Sequence, residues 1–364
     1  MKRRLRLSLG AWRQLAKRMG DGGSPLPWQV NLAYGLSGIV HSSLLRLQNA
    51  SHRDALGSST PQPPVFLLGF WRSGTTLLHE FVCCDPQFGF PSTYACLNPS
   101  HFLLSEAWAK GHTLPPTTRP MDNMSYSWAS PQEDEFALLS LGAPSPYEAL
   151  IVPSLLRNPG ALVDLGQRPP EQQRRWADTL QFFLRLLTVQ QGKAMVLKSP
   201  PHGFKLPRLL SLFPDGRYVV IERNPYEVFA SNLKLWRTLL DLYALESSSP
   251  EEIETFVLEA YVLHEKAISE GKRMASGERL AWVRYEELVA DPIGEMKRLY
   301  QELKLPNFDG VREAMENHAR AAAGYKRNRF VISSAQKARI ESCWGSFLKA
   351  KHYAWPGEYL RVEN

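Results

Sequence analysis

The sequence holds no run of the roughly 18 apolar residues that a helix needs to cross a bilayer. Its basic start is not followed by an apolar core, so a cleavable secretory signal is not expected. Cysteine is scarce: Cys83, Cys84, Cys96 and Cys343, with no C-x-x-C pair. Neither a disulfide framework nor a zinc site is expected from that spacing, and the thiols suit a reducing cytoplasm. Acid is missing from residues 1–20, which carry Lys2, Arg3, Arg4, Arg6, Arg13, Lys17 and Arg18. The net charge of +7 therefore sits wholly in that segment, because the rest balances 36 basic against 36 acidic residues. A basic surface for nucleic acid is not expected.

What is present is enough apolar residue, 44% of 364, to build a packed core. Leu5, Leu9, Trp12, Ala16 and Met19 recur at helical spacing among the basic residues. This reads as a basic amphipathic helix, able to dock on anionic lipid, a sister subunit or its own domain. A Gly/Pro-rich linker is expected at 21–27, a helix over 28–56 and a loop at 58–64. Residues 1–60 are thus expected as a basic helical extension, and 61–364 as the main domain.

Four short apolar runs read as buried strands: Val65–Leu68, Ala194–Leu197, Tyr218–Ile221 and Leu280–Val283. Helical stretches lie between them, near 75–84, 171–190, 205–212, 225–236 and 252–271. The alternation predicts an α/β fold, a P-loop-like parallel sheet flanked by helices. Residues 85–170, rich in Pro, Ser and Asn, are expected to form a helical and loop lobe for the acceptor. Ligands in such sheets bind beyond the carboxyl ends of the strands.

The first strand runs into Gly69-Phe70-Trp71-Arg72-Ser73-Gly74-Thr75-Thr76. Strand, glycine turn and helix start together make an anion cradle of backbone N–H groups at a positive helix end. The frame G-x-x-x-x-G-T-T is that of a nucleotide P-loop with Thr75 in place of the lysine. Without that lysine, γ-phosphate transfer is disfavoured. Arg72 instead offers a planar fork to a terminal sulfonate or phosphate. After the third strand, Arg223-Asn224-Pro225 starts another helix, with Asn224 as cap and Pro225 at the first position. Ser231 follows about two turns on, where it can share a phosphate with Arg223.

Residues 70–79 resemble the 5′-phosphosulfate loop of sulfotransferases, nearest the bacterial branch related to tyrosylprotein sulfotransferases. The resemblance implies that Arg72, Ser73, Gly74, Thr75 and Thr76 bind the 5′-phosphosulfate of 3′-phosphoadenosine-5′-phosphosulfate (PAPS). Arg223 through Ser231 resembles the family's 3′-phosphate motif, with Asn224 where aspartate is frequent. The segment Val283 to Leu288, with Tyr285 and then Asp291-Pro292, looks like the family's late strand and helix start. Tyr325-Lys326-Arg327-Asn328 resembles the basic loop that closes over the 3′-phosphate. The motifs span roughly residues 64–330. They imply PAPS as donor, 3′-phosphoadenosine-5′-phosphate (PAP) as product and no metal requirement.

Sulfuryl transfer needs a base for the acceptor hydroxyl and positive charge on the leaving oxygen. Lys198, ending the second strand, resembles the lysine that relatives place on the transferring sulfonate. His202 follows in Lys198-Ser199-Pro200-Pro201-His202, and an imidazole, with an ordinary pKa of about 6.5, suits proton abstraction near neutral pH. Cytosolic sulfotransferases carry their catalytic histidine after the matching lysine at a shorter spacing. Tyrosylprotein sulfotransferases use a glutamate after the loop helix, but Gly89 to Tyr94 contains no acid. Glu133, Glu135 and His79 therefore stand beside His202 as candidate bases.

The acceptor is expected to be a hydroxylated small molecule, sugar or lipid. Trp71, Tyr94, His101, Trp108, Tyr126 and Trp128 are the aromatic and imidazole groups expected near its entry. The expected setting is cytoplasmic, with residues 1–20 offering a peripheral membrane or oligomer contact. Two other readings stand against this one: a P-loop small-molecule kinase, and a non-catalytic sulfotransferase-like interaction protein.

Overall fold

The computed structural model describes residues 4–21, 27–111, 117–118, 125–275, 277–322, 328–357 and 359–363. The chain forms two compact units, each assembled from separated stretches. One holds residues 1–62, 89–197 and 238–249; the other holds 63–88, 198–237 and 250–364.

The first unit is helical. The helix Leu9–Asp21 begins later than its spacing predicts, because residues 4–8 run irregularly into it. Its apolar side is spent inside the unit. Leu5, Trp12, Leu15 and Met19 are buried, and Trp12 stacks on Tyr34 with ring centroids 4.3 Å apart. Trp12 Nε1 also donates to Asn31 Oδ1 at 2.9 Å. The partner is the 24-residue helix Trp28–Ser51. Gly38 permits the approach, since a Cβ there would lie 2.8 Å from Leu9 Cα. Residues 1–62 therefore belong to a larger unit, and of the partners the sequence allowed this helix, its own domain takes the apolar face.

The rest of that unit follows the expected pattern of short helices. These include Thr93–Leu97, Phe102–Gly111 and Glu135–Leu141. The long helix Pro170–Gln191 buries Trp176, Leu180, Phe183, Leu184 and Leu187, the side chosen by the spacing. Glu148 draws in Arg18 and Arg168, the latter at 3.2 Å. The strand Ala194–Lys198 closes the stretch, and its last residue opens the next piece of the second unit.

The second unit carries parallel strands. Val65–Leu68 pairs with Arg217–Glu222, which pairs in turn with Leu280–Arg284. The inner strands are buried almost throughout, so they read as unbroken apolar runs with no alternation. Phe66 stacks on Tyr218 at 5.5 Å, and the Tyr218 hydroxyl donates to the carbonyls of Leu209 and Phe213. The helix from Pro225 runs to Tyr243, beyond the predicted end, because Leu235, Trp236, Leu239 and Leu240 keep its buried stripe going.

Candidate active site

The register brings the carboxyl ends of three strands into line: Leu68 opposite Val220, and Glu222 opposite Arg284. The loop from Gly69, the turn at Arg223 and the helix start at Tyr285 therefore emerge at one edge of the second unit.

Phe70 and Trp71 are the roots of the loop. Both are buried: Phe70 meets Tyr261 at 5.2 Å, and Trp71 meets Trp236 and Phe204 at 5.3 Å each. The residues between these roots and the helix take conformations that few side chains allow. Arg72 has φ of 69° and Gly74 has φ of 101°. The left-handed region strains a residue with a Cβ, a cost typical of functional turns. Gly69 is required for another reason, since a Cβ would lie 2.5 Å from Ser73 Oγ and 2.7 Å from the Ile221 carbonyl. At Gly74 a Cβ would run into the Tyr285 ring.

The carbonyls of the loop are turned toward protein donors. That of Phe70 accepts from Ser73 N–H at 3.1 Å, that of Trp71 from Asn232 Nδ2 at 2.8 Å, and that of Arg72 from Arg223 Nη1 at 3.3 Å. Turning the carbonyls this way frees the opposite side of the loop for N–H groups. The helix Thr75–Val82 starts there, and Gly74 supplies no side-chain cap to its first N–H groups. Such uncapped donors at a positive helix end favour an anion. Ser73 is buried, and among the described residues its hydroxyl makes no hydrogen bond.

The two halves of the expected donor site meet directly. Arg72 Nε donates to Ser231 Oγ at 2.9 Å. Arg223 lies over the Tyr285 ring, 4.4 Å from its centroid, and forks onto Glu227 in the first turn of the helix that follows it. Asn224 caps that helix as expected, its Oδ1 accepting from Tyr226 N–H at 3.1 Å. Its own N–H donates to Glu286 Oε1 at 2.9 Å, and its Nδ2 to the Ala354 carbonyl at 2.8 Å. So Arg72, Ser73, Gly74, Thr75, Arg223, Ser231 and Tyr285 lie in one neighbourhood, with Thr76 in the first turn of the helix. Lys326 and Arg327 lie outside the described residues.

Lys198, at its strand end, is 1% exposed. Its charge reaches Cys83 at the end of the loop helix, where burial pushes the thiol's pKa up and Lys198 pulls it down. His202 lies in the 3-10 turn Pro200–Lys205, wholly buried, its ring edge-on to Phe66 at 5.5 Å. Phe66 is the second residue of its strand, and Gly69 leaves the strand three residues on. His79 is buried in the loop helix. Glu133 and Glu135 belong to the first unit. There the Tyr147 hydroxyl donates to Glu133, and Glu135 is fully buried at a helix start.

The aromatic groups expected at the acceptor entry divide. Trp71 is core. Tyr94 is buried, with its hydroxyl on Ser105 at 2.9 Å and Trp128 edge-on at 5.5 Å. His101 stacks on His41. Trp108 is open to solvent, and the side chain of Tyr126 is outside the described set. Glu227, Asn232 and Glu286 were missed by sequence reasoning. The i, i+4 spacing of Arg223 and Glu227 is a usable signal, and Glu286 lies inside the matched segment Val283 to Leu288; nothing in the sequence marks Asn232.

Residues 63–310 match the model of the Sulfotransferase family. The omega-hydroxy-beta-dihydromenaquinone-9 sulfotransferases Stf3 of Mycobacterium bovis and Mycobacterium tuberculosis are each 32% identical over 348 residues, 95% of this chain and 90% of theirs. Among solved structures, sulfotransferase STF1 of Mycobacterium tuberculosis H37Rv superposes with a TM-score of 0.64 at 18% identity, covering 93% of both chains. STF9 of Mycobacterium avium does so at 0.63 and 19%, covering 95% of this chain and 97% of its own. These two likenesses bear on the fold.

Proposed function

The chain belongs to the sulfotransferase family, and from that premise we propose that it moves the sulfuryl group of PAPS to the hydroxyl of a lipid. The observation that carries the donor reading is the hydrogen bond from Arg72 to Ser231. It joins the residue proposed for the 5′-phosphosulfate to the one proposed for the 3′-phosphate. A kinase needs neither a second anion site nor an arginine in the loop.

In this reading the loop N–H groups, Ser73, Thr75, Thr76 and the Arg72 guanidinium hold the 5′ end of the donor. Arg223 and Ser231 hold the 3′-phosphate, and the family resemblance adds Lys326 and Arg327 to its contacts. Tyr285 keeps Arg223 in place by lying beneath its guanidinium. The acceptor oxygen attacks sulfur, and the bond from sulfur to the bridging phosphate oxygen breaks. The acceptor proton passes to a base, and the products are a sulfate ester and PAP. Lys198 neutralises the charge growing on the bridging oxygen, a role suited to a buried ammonium in a low-dielectric site. His202 is the first candidate for the base, with Glu133, Glu135 and His79 behind it. Its burial requires the acceptor hydroxyl to reach inward. No metal is needed, because the basic side chains carry the charge.

The lipid is proposed from the Stf3 relatives, whose name gives a hydroxylated menaquinone as acceptor. Purified protein incubated with PAPS and an omega-hydroxylated menaquinone tests both halves. A mass gain of one SO3 on the quinone supports the reading. Transfer to sugars or phenols alone would overturn the lipid assignment, and failure to bind PAP would overturn the donor site.

A further inference from the structure

The helix Trp28–Ser51 turns large apolar side chains outward. The side chains it buries are Tyr34, His41 and Gln48, beside Gly38. The side chains it exposes include Trp28, Leu32, Leu36, Ile39, Val40 and Leu47, with Trp28 70% open. At 3.6 residues per turn these six fall within roughly 120° of the circumference, along about 28 Å of axis. A helix on a solvated surface shows the opposite arrangement.

A second element of the same unit also exposes apolar side chains. Leu103 N–H, in the helix Phe102–Gly111, donates to Gln48 Oε1 at 3.0 Å. That helix exposes Leu104 and Trp108, the latter 69% open. Eight of the twelve exposed large hydrophobic side chains among the described residues therefore belong to these two helices, so the exposure is concentrated rather than scattered.

Charge decides what covers this face. The helix Trp28–Ser51 contains no acid, and residues 1–53 carry nine Lys and Arg against Asp21 alone. At the far end of the stripe, Arg46, Arg53 and Arg185 line a cleft of about 520 Å³ with no acid in its wall. Among the described residues, none of the three arginines is in an ion pair. A second copy of the chain would bring the same cationic segment against itself. An anionic membrane supplies apolar depth for the stripe and phosphate for the arginines. Exposed tryptophans at the ends of such a face suit the interfacial layer.

We infer that this face seats the protein on an anionic phospholipid bilayer, with Arg46, Arg53 and Arg185 taking lipid phosphates. It replaces the helix Leu9–Asp21 as the docking element, since the apolar side of that helix is spent within its own unit. The contact is peripheral, as no helix among the described residues is long and apolar enough to cross a membrane. It stands independently of the acceptor reading.

Sedimentation of the full chain with extruded vesicles tests it. The chain is expected to pellet with vesicles of phosphatidylcholine and phosphatidylglycerol, and less with phosphatidylcholine alone. The triple variant Leu32→Ser/Leu36→Ser/Ile39→Ser should lose at least roughly tenfold in partitioning. Arg46→Gln, Arg53→Gln and Arg185→Gln should each lose roughly fivefold, and together erase the preference for phosphatidylglycerol. PAP binding should be unchanged in every variant, which separates a failed docking face from a failed donor site. Wild-type protein left in the supernatant with the anionic vesicles overturns the inference. So does a wild-type dimer that the leucine and isoleucine substitutions convert to monomer while vesicle binding persists.

Discussion

Arg72 reaches out of the loop between Gly69 and Gly74 and donates through Nε to Ser231 Oγ, 2.9 Å away on the helix that follows Arg223. The same residue offers its carbonyl to Arg223 Nη1. One strained residue thus ties the two proposed ends of the donor site into a single piece.

Ser231→Ala removes the acceptor of the Arg72 guanidinium without emptying the loop. A hydrogen bond to a charged group is worth about 1.5–3 kcal/mol. PAP affinity should fall roughly tenfold or more by that magnitude. Arg72→Ala should go further and reduce kcat/KM by on the order of 10²–10³. Calorimetric titration with PAP and steady-state transfer rates check both; unchanged PAP affinity in Ser231→Ala would remove the coupling.

Gly74→Ala places a methyl group into the Tyr285 ring, at a φ of 101° that disfavours any Cβ. The strain alone costs about 1–3 kcal/mol. Thermal unfolding should show the loss. Adding Tyr285→Ala should relieve the clash while leaving the φ strain, so stability should return only in part. Full recovery would mean that the backbone conformation carries no strain.

Lys198→Met keeps length and apolar stem but removes the charge. If Lys198 acts on the leaving oxygen, kcat should fall by on the order of 10²–10³, with PAP affinity little changed. His202→Gln tests the base separately. The acid limb of the kcat/KM profile should vanish while the melting temperature stays close to wild type. A large fall in melting temperature with the pH profile intact would make His202 a core residue, and Glu133→Gln and Glu135→Gln the next variants to assay.

His41 predicts a pH dependence of stability. Burial, helped by the charges of His101 and Arg6, lowers its pKa from 6.5 to about 4. Between those values the unfolded chain binds the proton and the folded chain does not. Stability therefore falls as pH drops from 6.5 toward 4, and the loss is complete below that. In His41→Phe this part of the slope should disappear from melting curves taken across the window. An identical slope in the variant would assign it to other groups.

Much of the backbone of the candidate donor site was legible in the chain itself. The run Val65–Leu68 followed by Gly69 and Gly74 requires strand, tight turn and helix start, because only that backbone uses glycine at both places. Asn224-Pro225 marks a helix start by local chemistry, and the structure keeps it. The apolar runs determined which strands are buried, and the spacing of Trp176, Leu180 and Phe183 determined one face of the long helix. Local steric and hydrogen-bonding preferences suffice for such features.

Tertiary structure decided what depends on residues far apart in the chain. The spacing of Leu5, Trp12 and Met19 established that the first helix has an apolar side, yet not what covers it; Tyr34 and Gly38 do. The exposed stripe of the next helix could not be read from composition, since Tyr34, His41 and Gln48, rather than Leu32, Leu36 and Leu47, are the side chains turned inward. The seating of His202 against Phe66, and the turning of the Trp71 carbonyl toward Asn232, likewise arise only when distant segments pack. Sequence specifies which groups can make a contact; the fold selects the contact by excluding water from one side of each element and leaving it on the other.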